Sequence, residues 1–294
     1  MTFAAQLIFA GVCVGAVYAL IALGLNLTFW ATRTMNFGQG SLMMLCAVIA
    51  VMVLNGGFDI WLGLLAGVAV AGIIAAATEA IAIRPIARLT GSMGWVVTTL
   101  GVGIFMQGFV SKFFGSQALA FPSFLFSPRD YIDVLGVRLS LQYAVILVIA
   151  VALVLLFELF QKRTAWGRAL QAVAADQDLA AVMGIPVRLV VTLSFVGSGL
   201  LAGVAGVLVA QITGTVDAAF GFNLLIFGFV AAVIGGMGNT WGALVGGILL
   251  GIMEKVVGGY VSTAAEQAIA FALLMVMLAV RPEGLFGEKE FVKV

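Results

Sequence analysis

The order of apolar and polar residues divides the chain into long uncharged blocks separated by short polar interruptions. A helix needs about 20 mainly apolar residues to cross a bilayer, and several blocks reach that length. The first block is uncharged from Met1 to Ala31 and no basic residue precedes it, which predicts a retained span rather than a cleaved signal peptide. Nine candidate spans result, two of them short: Phe3 to Phe29, Met35 to Leu54, Trp61 to Ile83, Trp95 to Val110, Leu141 to Phe160, Leu189 to Gln211, Leu224 to Ile234, Ala243 to Val257 and Ala264 to Val280.

The basic residues indicate an orientation, because Lys and Arg are enriched in cytoplasmic loops. If every candidate crosses once, the N-terminus lies outside and the C-terminus in the cytoplasm; a re-entrant segment or a missed span would change this. The cytoplasmic side then receives Arg33, Arg84, Arg88, Lys162, Arg163, Arg168, Arg188, Arg281, Lys289 and Lys293, and the outer side receives Lys112, Arg129 and Arg138.

Composition narrows the fold class. Hydrophobic residues make up 63% of the 294 and charged residues 9%, whereas soluble domains carry about 25% charged residues, so a soluble fold is excluded. The apolar/polar alternation of a membrane β-barrel is absent from the long apolar blocks. We therefore predict an all-α, polytopic integral membrane bundle: one domain over 1–294 with about eight to ten transmembrane helices, some of them broken or re-entrant.

Few residues offer chemistry for catalysis. The formal charge of +1 comes without a clustered basic face, so no nucleic-acid partner is expected. Cys13 and Cys46 lie in apolar segments and are interpreted as packing residues. Histidine is absent, and so is a GxxxxGK[ST] phosphate loop, so we predict no catalytic, cofactor or metal site. If transport is active, another polypeptide must supply the energy.

The stretch 111–140 is the longest interruption on the predicted outer side. It contains Pro122, Pro128 and Gly136 and mixed charge. We expect an extracytoplasmic loop that carries a short interfacial helix.

The stretch 162–188 has the pattern of a short cytoplasmic helix. Asp176 or Asp178 suits the helix start, and Gly184 followed by Pro186 suits its end. Its apolar face would consist of Leu179, Ala180, Val182 and Met183. Two interpretations remain open: an interfacial helix that only joins two spans, or a docking helix for a cytoplasmic partner.

Polar residues and glycines open the second span, in the run Asn36 to Ser41. Irregular backbone at membrane depth persists only where protein or a water-filled path satisfies it. The run is therefore either a broken helix that lines a translocation path or a glycine-rich helix start at the interface. The candidate path residues are Asn36, Gly38, Gln39, Gly40 and Ser41.

Glycine clusters predict close helix packing. A buried turn or half-helix pair is expected around 235–242, and small residues four apart allow helices to approach closely. The candidate packing residues are Gly199, Gly203, Gly235, Gly236, Gly238, Gly242 and Gly246.

Charged side chains avoid the middle of the predicted spans. Glu79 lies near Arg84 at a cytoplasmic end, and Glu158 can pair with Lys162 four residues on. Glu254, Lys255 and Glu266 flank the predicted outer loop around Gly258 and Gly259. This arrangement weakens any proton-coupled scheme.

Three stretches together resemble a known family. They are LIALGLNLTFWATRTMNFGQGSLMML, GRALQAVAADQDLAAVMGIPVRLVVTLSFVGSGLLAGVAGVL and AAVIGGMGNTWGALVGGILLGIMEKV. The chain resembles the H-type permease subunits of ATP-binding-cassette importers for branched-chain amino acids. The resemblance covers most of the chain, although the family's Asn-Phe-Ala-His-Gly-Glu-like run is here Asn36 to Ser41 with neither His nor Glu.

The resemblance implies a subunit of a heteromeric importer in a bacterial inner membrane. Its partners would be a second related permease, two cytoplasmic ATPase subunits and a periplasmic substrate-binding protein that supplies the affinity. The cargo would be a branched-chain amino acid or a related small amino acid, amide or organic acid. The coupling role would fall on Ala174, Ala175, Asp176, Asp178, Ala180, Ala181 and Gly184, which would act as a lever that alternates access to the pore.

Two other classes of function remain alternatives. A secondary transporter or channel for a small polar solute would need a coordinating cluster at mid-membrane, for which Asn36 to Ser41 is the candidate. A membrane-embedded enzyme would need a general base or metal site, which the composition does not offer.

Overall fold

The computed structural model describes residues 2–86, 94–115, 117–126, 130–134 and 137–287. The helices in these residues are α1 (Thr2–Thr32), α2 (Gln39–Asn55), α3 (Ile60–Thr78), α4 (Gly94–Phe114), α5 (Leu141–Arg163), α6 (Ala165–Ala175), α7 (Gln177–Val182), α8 (Val187–Thr213), α9 (Phe220–Gly235), α10 (Thr240–Tyr260) and α11 (Ala265–Val280). A π-helical turn, Glu79–Ile83, extends α3. The strands are β1 (Leu119–Ala120), β2 (Tyr131–Val134), β3 (Val137–Ser140) and β4 (Thr215–Val216).

Apolar helices account for the predicted spans. Within the described residues, six helices are long and apolar enough to cross a membrane, and α2, α9 and α11 are apolar but only 16 or 17 residues long. Each of the nine candidate spans falls on a helix, apart from residues 35–38 of the second and Ala264 of the last, which precede α2 and α11. The prediction of a polytopic helical membrane protein is confirmed. Helix is the expected state, because backbone groups in a bilayer must hydrogen-bond within the protein.

The structure corrects the prediction for the outer loop. Instead of an interfacial helix, the described part of 111–140 contains the antiparallel pair β2–β3, in which Tyr131 faces Ser140 and Ile132 faces Leu139. β1 pairs with β4, which precedes α9. β-Branched and aromatic residues favour strands over helix at these positions. The basic residues Arg88, Arg129, Lys289 and Lys293, used above for orientation, lie outside the described residues.

The chain forms two compact units, each assembled from separate stretches. Unit 1 comprises Met1–Asn26, Phe126–Val154 and Ile226–Val294. Unit 2 comprises Leu27–Leu125 and Leu155–Leu225.

In unit 1, small residues bring the backbones of α1 and α10 together. A Cβ added at Gly15 would lie 2.5 Å from the carbonyl oxygen of Gly247, and one added at Gly11 would lie 2.8 Å from that of Gly251. Three charged side chains of this unit are paired: Lys255 Nζ lies 2.7 Å from Glu254 Oε1 and 3.7 Å from Glu266 Oε2. Glu254 lies within α10 and is only 3% exposed. The carboxylate is thus buried inside a span. The sequence pattern instead predicts a position at the edge of the span, beside the outer loop.

In unit 2, α2, α3 and α8 pack through small residues. Gly67 of α3 meets the backbone of Cys46 in α2, and Gly206 of α8 meets the backbone of Met43 in α2. Helix association in lipid depends on such close packing because the bilayer offers no hydrophobic drive between helices. The predicted pair of Glu158 and Lys162 is confirmed, with 2.7 Å between Oε1 and Nζ.

Enlarging a packing glycine should destabilise unit 2. A Cβ at Gly199 would lie 2.6 Å from both the Ala71 carbonyl oxygen and the Ala75 Cβ. We expect Gly199→Ala to lower the free energy of unfolding by roughly 1–3 kcal/mol, the usual range for overpacking. Thermal unfolding in detergent is the measurement. Gly108→Ala is the matched control, since nothing lies within 4 Å of its Cβ, and equal melting shifts in the two variants would contradict the packing argument.

Candidate functional site

The run before α2 is an irregular, buried segment. α1 ends at Thr32 and α2 begins at Gln39. Asn36 Oδ1 accepts a hydrogen bond from the Gly38 amide at 3.0 Å. Asn36 is 1% exposed and Gln39 fully buried, and the Asn36 Nδ2 atom has no hydrogen-bond partner among the described residues. Protein therefore surrounds this break in the helix.

The start of α2 lies part of the way along α8, not at its end. Ser198 Oγ and Gln39 Oε1 are 3.3 Å apart, and Ser198 follows the first residue of α8, Val187, by eleven positions. At 1.5 Å per residue, α2 therefore begins about 16 Å along α8. Ser41 similarly donates to the carbonyl of Gly103, well inside α4, at 2.9 Å. The geometry favours a broken helix over a helix start at the interface.

Two helix starts meet at this level. A Cβ at Gly40 would lie 2.5 Å from the carbonyl oxygen of Gly221, and one at Gly221 would overlap the carbonyl of Gly40. Gly40 is the second residue of α2 and Gly221 the second of α9. Only glycine permits this backbone contact. Gly40 therefore belongs to the site because it allows the two helix starts to meet.

A cavity of about 310 Å³ opens beside this contact. This volume is at the lower end of the roughly 300–1,000 Å³ typical of small-molecule sites. None of its lining residues, all within unit 2, is charged; Ser41 and Gln107 supply the polar side chains. The walls are Phe37, Gly40, Ser41, Leu100, Gly103, Ile104, Gln107, Ala218, Gly221 and Phe222.

The sequence indicated only the α2 wall of this cavity. The α4 wall and the residues around Gly221 are distant in sequence and carry no motif. No local signal distinguishes Gly103 or Gly221, because each lies near other small residues, Gly101 and Gly108 or Ala218 and Ala219. Among the predicted path residues, Gly40 and Ser41 line the cavity, whereas Asn36, Gly38 and Gln39 are not among its walls.

The stretch 162–188 forms two helices, α6 and α7, and the predicted helix is confirmed. Asp176 Oδ1 caps α7 by accepting from the amides of Asp178 and Leu179 at 2.9 and 3.0 Å. Gly184 ends it with a φ of +81°, a left-handed conformation that favours glycine. The Ile185 amide then donates to the Ala180 carbonyl at 3.0 Å.

The apolar residues of α7 point in two directions. Ala180 is 2% exposed and packs with Leu27, Ala31, Leu170 and Val173. In contrast, the remaining apolar side chains predicted for this face stay uncovered. Leu179 is 63%, Met183 79% and Val182 86% exposed. We call these three residues the α7 apolar face.

The end of α1 is tied to this segment. Arg33 Nη2 donates to the Ala174 carbonyl at 3.1 Å, and Gln177 Nε2 donates to the Ala31 carbonyl at 2.7 Å. Ala175, Asp178 and Ala181 are exposed in the same segment. The residues of the predicted coupling segment therefore lie together at the end of unit 2 where α8 begins, whereas the cavity lies about 16 Å further along α8.

The predicted packing glycines occupy close contacts within each unit. In unit 2, Gly199 meets Ala71 and Gly203 meets Val68 and Cys46. In unit 1, Gly235 meets Gly242, and Gly246 meets Ala231. Gly236 and Gly238 take φ values of +101° and +85° in the turn before α10.

Asn26 was missed by sequence reasoning and holds this turn in unit 1. Its Oδ1 accepts from the Gly238 amide at 3.2 Å and its Nδ2 donates to the Asn239 carbonyl at 3.3 Å. Because Asn26 is fully buried, its side chain supplies the hydrogen bonds that water would otherwise make to the Gly238 amide and the Asn239 carbonyl. An asparagine inside an apolar block was the available signal.

Comparison with protein families gives one match across nearly the whole chain. The family model described as "Branched-chain amino acid transport system / permease component" matches residues 7–279. The permease protein LivH of the high-affinity branched-chain amino acid transport system of Escherichia coli K12 is 34% identical, over 98% of this chain and 97% of its own. BraD of Pseudomonas aeruginosa, named for the same type of system, is 31% identical, over 97% and 96%.

More distant similarities reach other named cargoes and a solved structure. The fructose import permease protein FruF of Bifidobacterium longum is 26% identical, over 90% of this chain and 73% of its own. The structure of PsaBC from Streptococcus pneumoniae in complex with Fab aligns with a TM-score of 0.51 and 16% identity, over 97% of this chain and 94% of that one. At that identity the likeness concerns the fold alone.

Removing the cap of α7 should loosen this helix. Asp176→Ala deletes the acceptor for two amides, which costs about 1 kcal/mol and should raise local amide hydrogen exchange roughly fivefold. Hydrogen-exchange mass spectrometry of the peptide covering α7 measures this. Asp178→Ala is the control, because its carboxylate does not cap the helix. The same increase in both variants would refute the cap assignment.

Proposed function

Because the chain belongs to the family of branched-chain amino acid transport system permease components, we propose that it is the membrane-spanning permease subunit of an ATP-binding-cassette importer for small amino acids. Two ATPase subunits would bind its cytoplasmic side and drive transport. The family membership favours this function over a secondary transporter, and catalysis of ATP hydrolysis is assigned to the partner subunits.

The observation that carries this proposal is the α7 apolar face. A short helix with a side-chain cap at one end and a left-handed glycine at the other is well ordered locally, yet three large apolar side chains on it are uncovered. Exposed apolar residues grouped on an ordered helix are typical of an interaction surface. A groove in an ATPase subunit that accepts the helix would bury them. The coupling residues would be Ala174, Ala175, Asp176, Asp178, Ala180, Ala181 and Gly184.

This assignment gives an orientation. The end of unit 2 that carries α6, α7 and the start of α8 would face the cytoplasm. With each of the nine apolar helices crossing once, the N-terminus would lie outside and the C-terminus in the cytoplasm of a bacterial inner membrane. The exposed basic residues Lys162, Arg163 and Arg168 then lie on the cytoplasmic side, as the preference of Lys and Arg for that side requires.

The cavity beside Gly40 and Gly221 would be part of the translocation path. It combines a broken helix, aromatic and aliphatic walls and two polar side chains, Ser41 and Gln107. Ile104 and Phe222 at its walls are 68% and 52% exposed, so the cavity is open on the surface of this subunit. A second, related permease subunit would close the path on that side, and a periplasmic binding protein would deliver the solute.

The proposed cargo is a branched-chain or related small amino acid. The names of LivH and BraD support it, and the apolar walls suit an aliphatic side chain. Amides and organic acids of similar size remain members of the same solute class, because none of the cavity walls carries a charge that would distinguish them.

The α7 apolar face should be required for retention of the ATPase. Val182→Glu combined with Met183→Glu places two carboxylates in an apolar contact, and we expect at least about a tenfold loss of co-purified ATPase, equivalent to about 1.4 kcal/mol. The measurement is co-purification of ATPase subunits with the tagged permease. Gln171→Glu adds a charge to an exposed position of the neighbouring helix α6 and should retain the ATPase. A native chain that never retains an ATPase would overturn the proposed function.

Narrowing the cavity should slow transport by the assembled complex. Ile104→Trp enlarges an exposed wall residue, so its bulk can occupy the cavity mouth without entering the core. We expect solute uptake into proteoliposomes to fall at least about fivefold, whereas the size-conserving Ile104→Leu should remain near native. Native uptake by the tryptophan variant would argue against a path through this cavity.

A further inference from the structure

Three side chains form a partly buried polar cluster between α3 and α8 in unit 2: the carboxylate is buried, whereas the Arg84 side chain is 33% exposed. The Glu79 carboxylate, in a residue that is 3% exposed, accepts from Arg84 Nε at 3.0 Å and from Arg84 Nη2 at 2.6 Å. Thr192 Oγ1 lies 3.0 Å from the second carboxylate oxygen and 3.1 Å from Arg84 Nη2. The Thr192 hydroxyl thus accepts a hydrogen bond from Arg84 and donates one to Glu79. The carbonyl of Arg188, four residues earlier in α8, is a second acceptor for this hydroxyl at 3.0 Å.

The π-helical turn makes this cluster possible. In an α-helix, a residue five positions on is rotated by about 140°, so Glu79 and Arg84 would point to different faces. In the π-turn, hydrogen bonds join residues five apart, and the Arg84 amide donates to the Glu79 carbonyl at 2.8 Å. The π-turn brings the two side chains to the same face, where the Arg84 guanidinium forms two hydrogen bonds with the Glu79 carboxylate. Such turns are rare in proteins, and those that occur are often found at functional sites.

Breaking the cluster would be costly, because separation of α3 from α8 would leave a buried carboxylate with fewer partners. The hydrogen bond from Arg84 to Glu79 also raises the pKa of the Arg84 guanidinium. The Thr192 hydroxyl is the one member on α8, and it bonds to both charged groups. It therefore fastens the end of α3 to the first turns of α8.

The cluster lies between the two parts of the proposed site. Thr192 is eight residues beyond Gly184, which ends α7, and five beyond Val187, which begins α8. From α3, contact continues to α2 through Gly67 and Cys46, and α2 begins at the cavity. A displacement of the α7 segment would reach α8 first. Thr192 would pass it to the end of α3, in addition to the packing of Gly199 and Gly203 of α8 against α3.

We propose that Glu79, Arg84 and Thr192 are positioning residues that make the ends of α3 and α8 move together, so that movement of the coupling segment is converted into opening of the cavity. This inference rests on the proposed function. A purely structural role predicts that loss of the Thr192 hydroxyl lowers stability and leaves the transport achieved per ATP unchanged. A positioning role predicts that this ratio falls.

The test is Thr192→Val in the assembled transporter, reconstituted with its ATPase and binding-protein partners. Valine has nearly the same shape and lacks the hydroxyl. We expect the amount of solute transported per ATP hydrolysed to fall about fivefold, within the range seen when residues of a coupling network are changed. ATP hydrolysis itself should continue, because the α7 apolar face is untouched. Thr192→Ser, which keeps the hydroxyl, should restore the native ratio.

Thr98→Val is the matched control, because it removes a hydroxyl whose hydrogen bonds, among the described residues, go only to carbonyls of its own helix, Gly94 and Trp95. It should leave the ratio unchanged. A native ratio in Thr192→Val, or an equal loss in Thr98→Val, would overturn the proposal. Absence of any ATPase from the native complex would instead overturn the proposed function.

A second measurement uses a chain that keeps Thr192, so it does not depend on whether Thr192→Val folds. Spin labels at Ile81→Cys and Leu189→Cys, both exposed positions beside the cluster, report the separation of α3 and α8; the native Cys13 and Cys46 are buried. We expect the same narrow distance distribution with and without ATP. A shift between these nucleotide states in the otherwise native chain would show that the two helix ends move independently and would refute the proposal.

Discussion

A bilayer contains no water to satisfy a broken helix, and this constraint accounts for much of the structure. At two places among the described residues where helical hydrogen bonding stops inside the protein, a side chain of the protein hydrogen-bonds to the backbone instead. Asn36 Oδ1 accepts from the Gly38 amide at the start of α2. Asn26 hydrogen-bonds to the backbone of Gly238 and Asn239 in the turn before α10. These two asparagines, each in an otherwise apolar block, are therefore positioned where the backbone is irregular.

The same constraint explains how much the sequence revealed. Apolar length and the absence of charge identify helices directly, so all nine segments were predictable. Local grammar also sufficed for α7, since Asp176 and Gly184 act on backbone groups within four residues of themselves. Sequence could not tell that Gln39 lies beside Ser198, because that contact depends on how α2 and α8 pack. The cavity is built from such contacts, and only one of its walls could be predicted.

Amphipathicity was informative about α7 but incomplete. Four apolar residues were assigned to one face, yet Ala180 is buried and Leu179, Val182 and Met183 are not. Pattern alone cannot separate residues covered by the chain itself from residues left for a partner, because both are apolar. Their separate burial in the structure is what turns an amphipathic helix into a candidate docking surface.

The chemistry of the cavity bears on where selectivity resides. A zwitterionic amino acid in this cavity would have to leave water for walls that carry no charge, and desolvating an ammonium and a carboxylate without partners is unfavourable. Tight binding is therefore not expected there, and weak binding suits a path from which the solute must be released. Affinity and discrimination would then lie with the proposed binding protein. A neutral path is also consistent with related permeases that are named for cargoes as different as branched-chain amino acids and fructose, since exchange of the delivering protein would change the cargo while the path is kept.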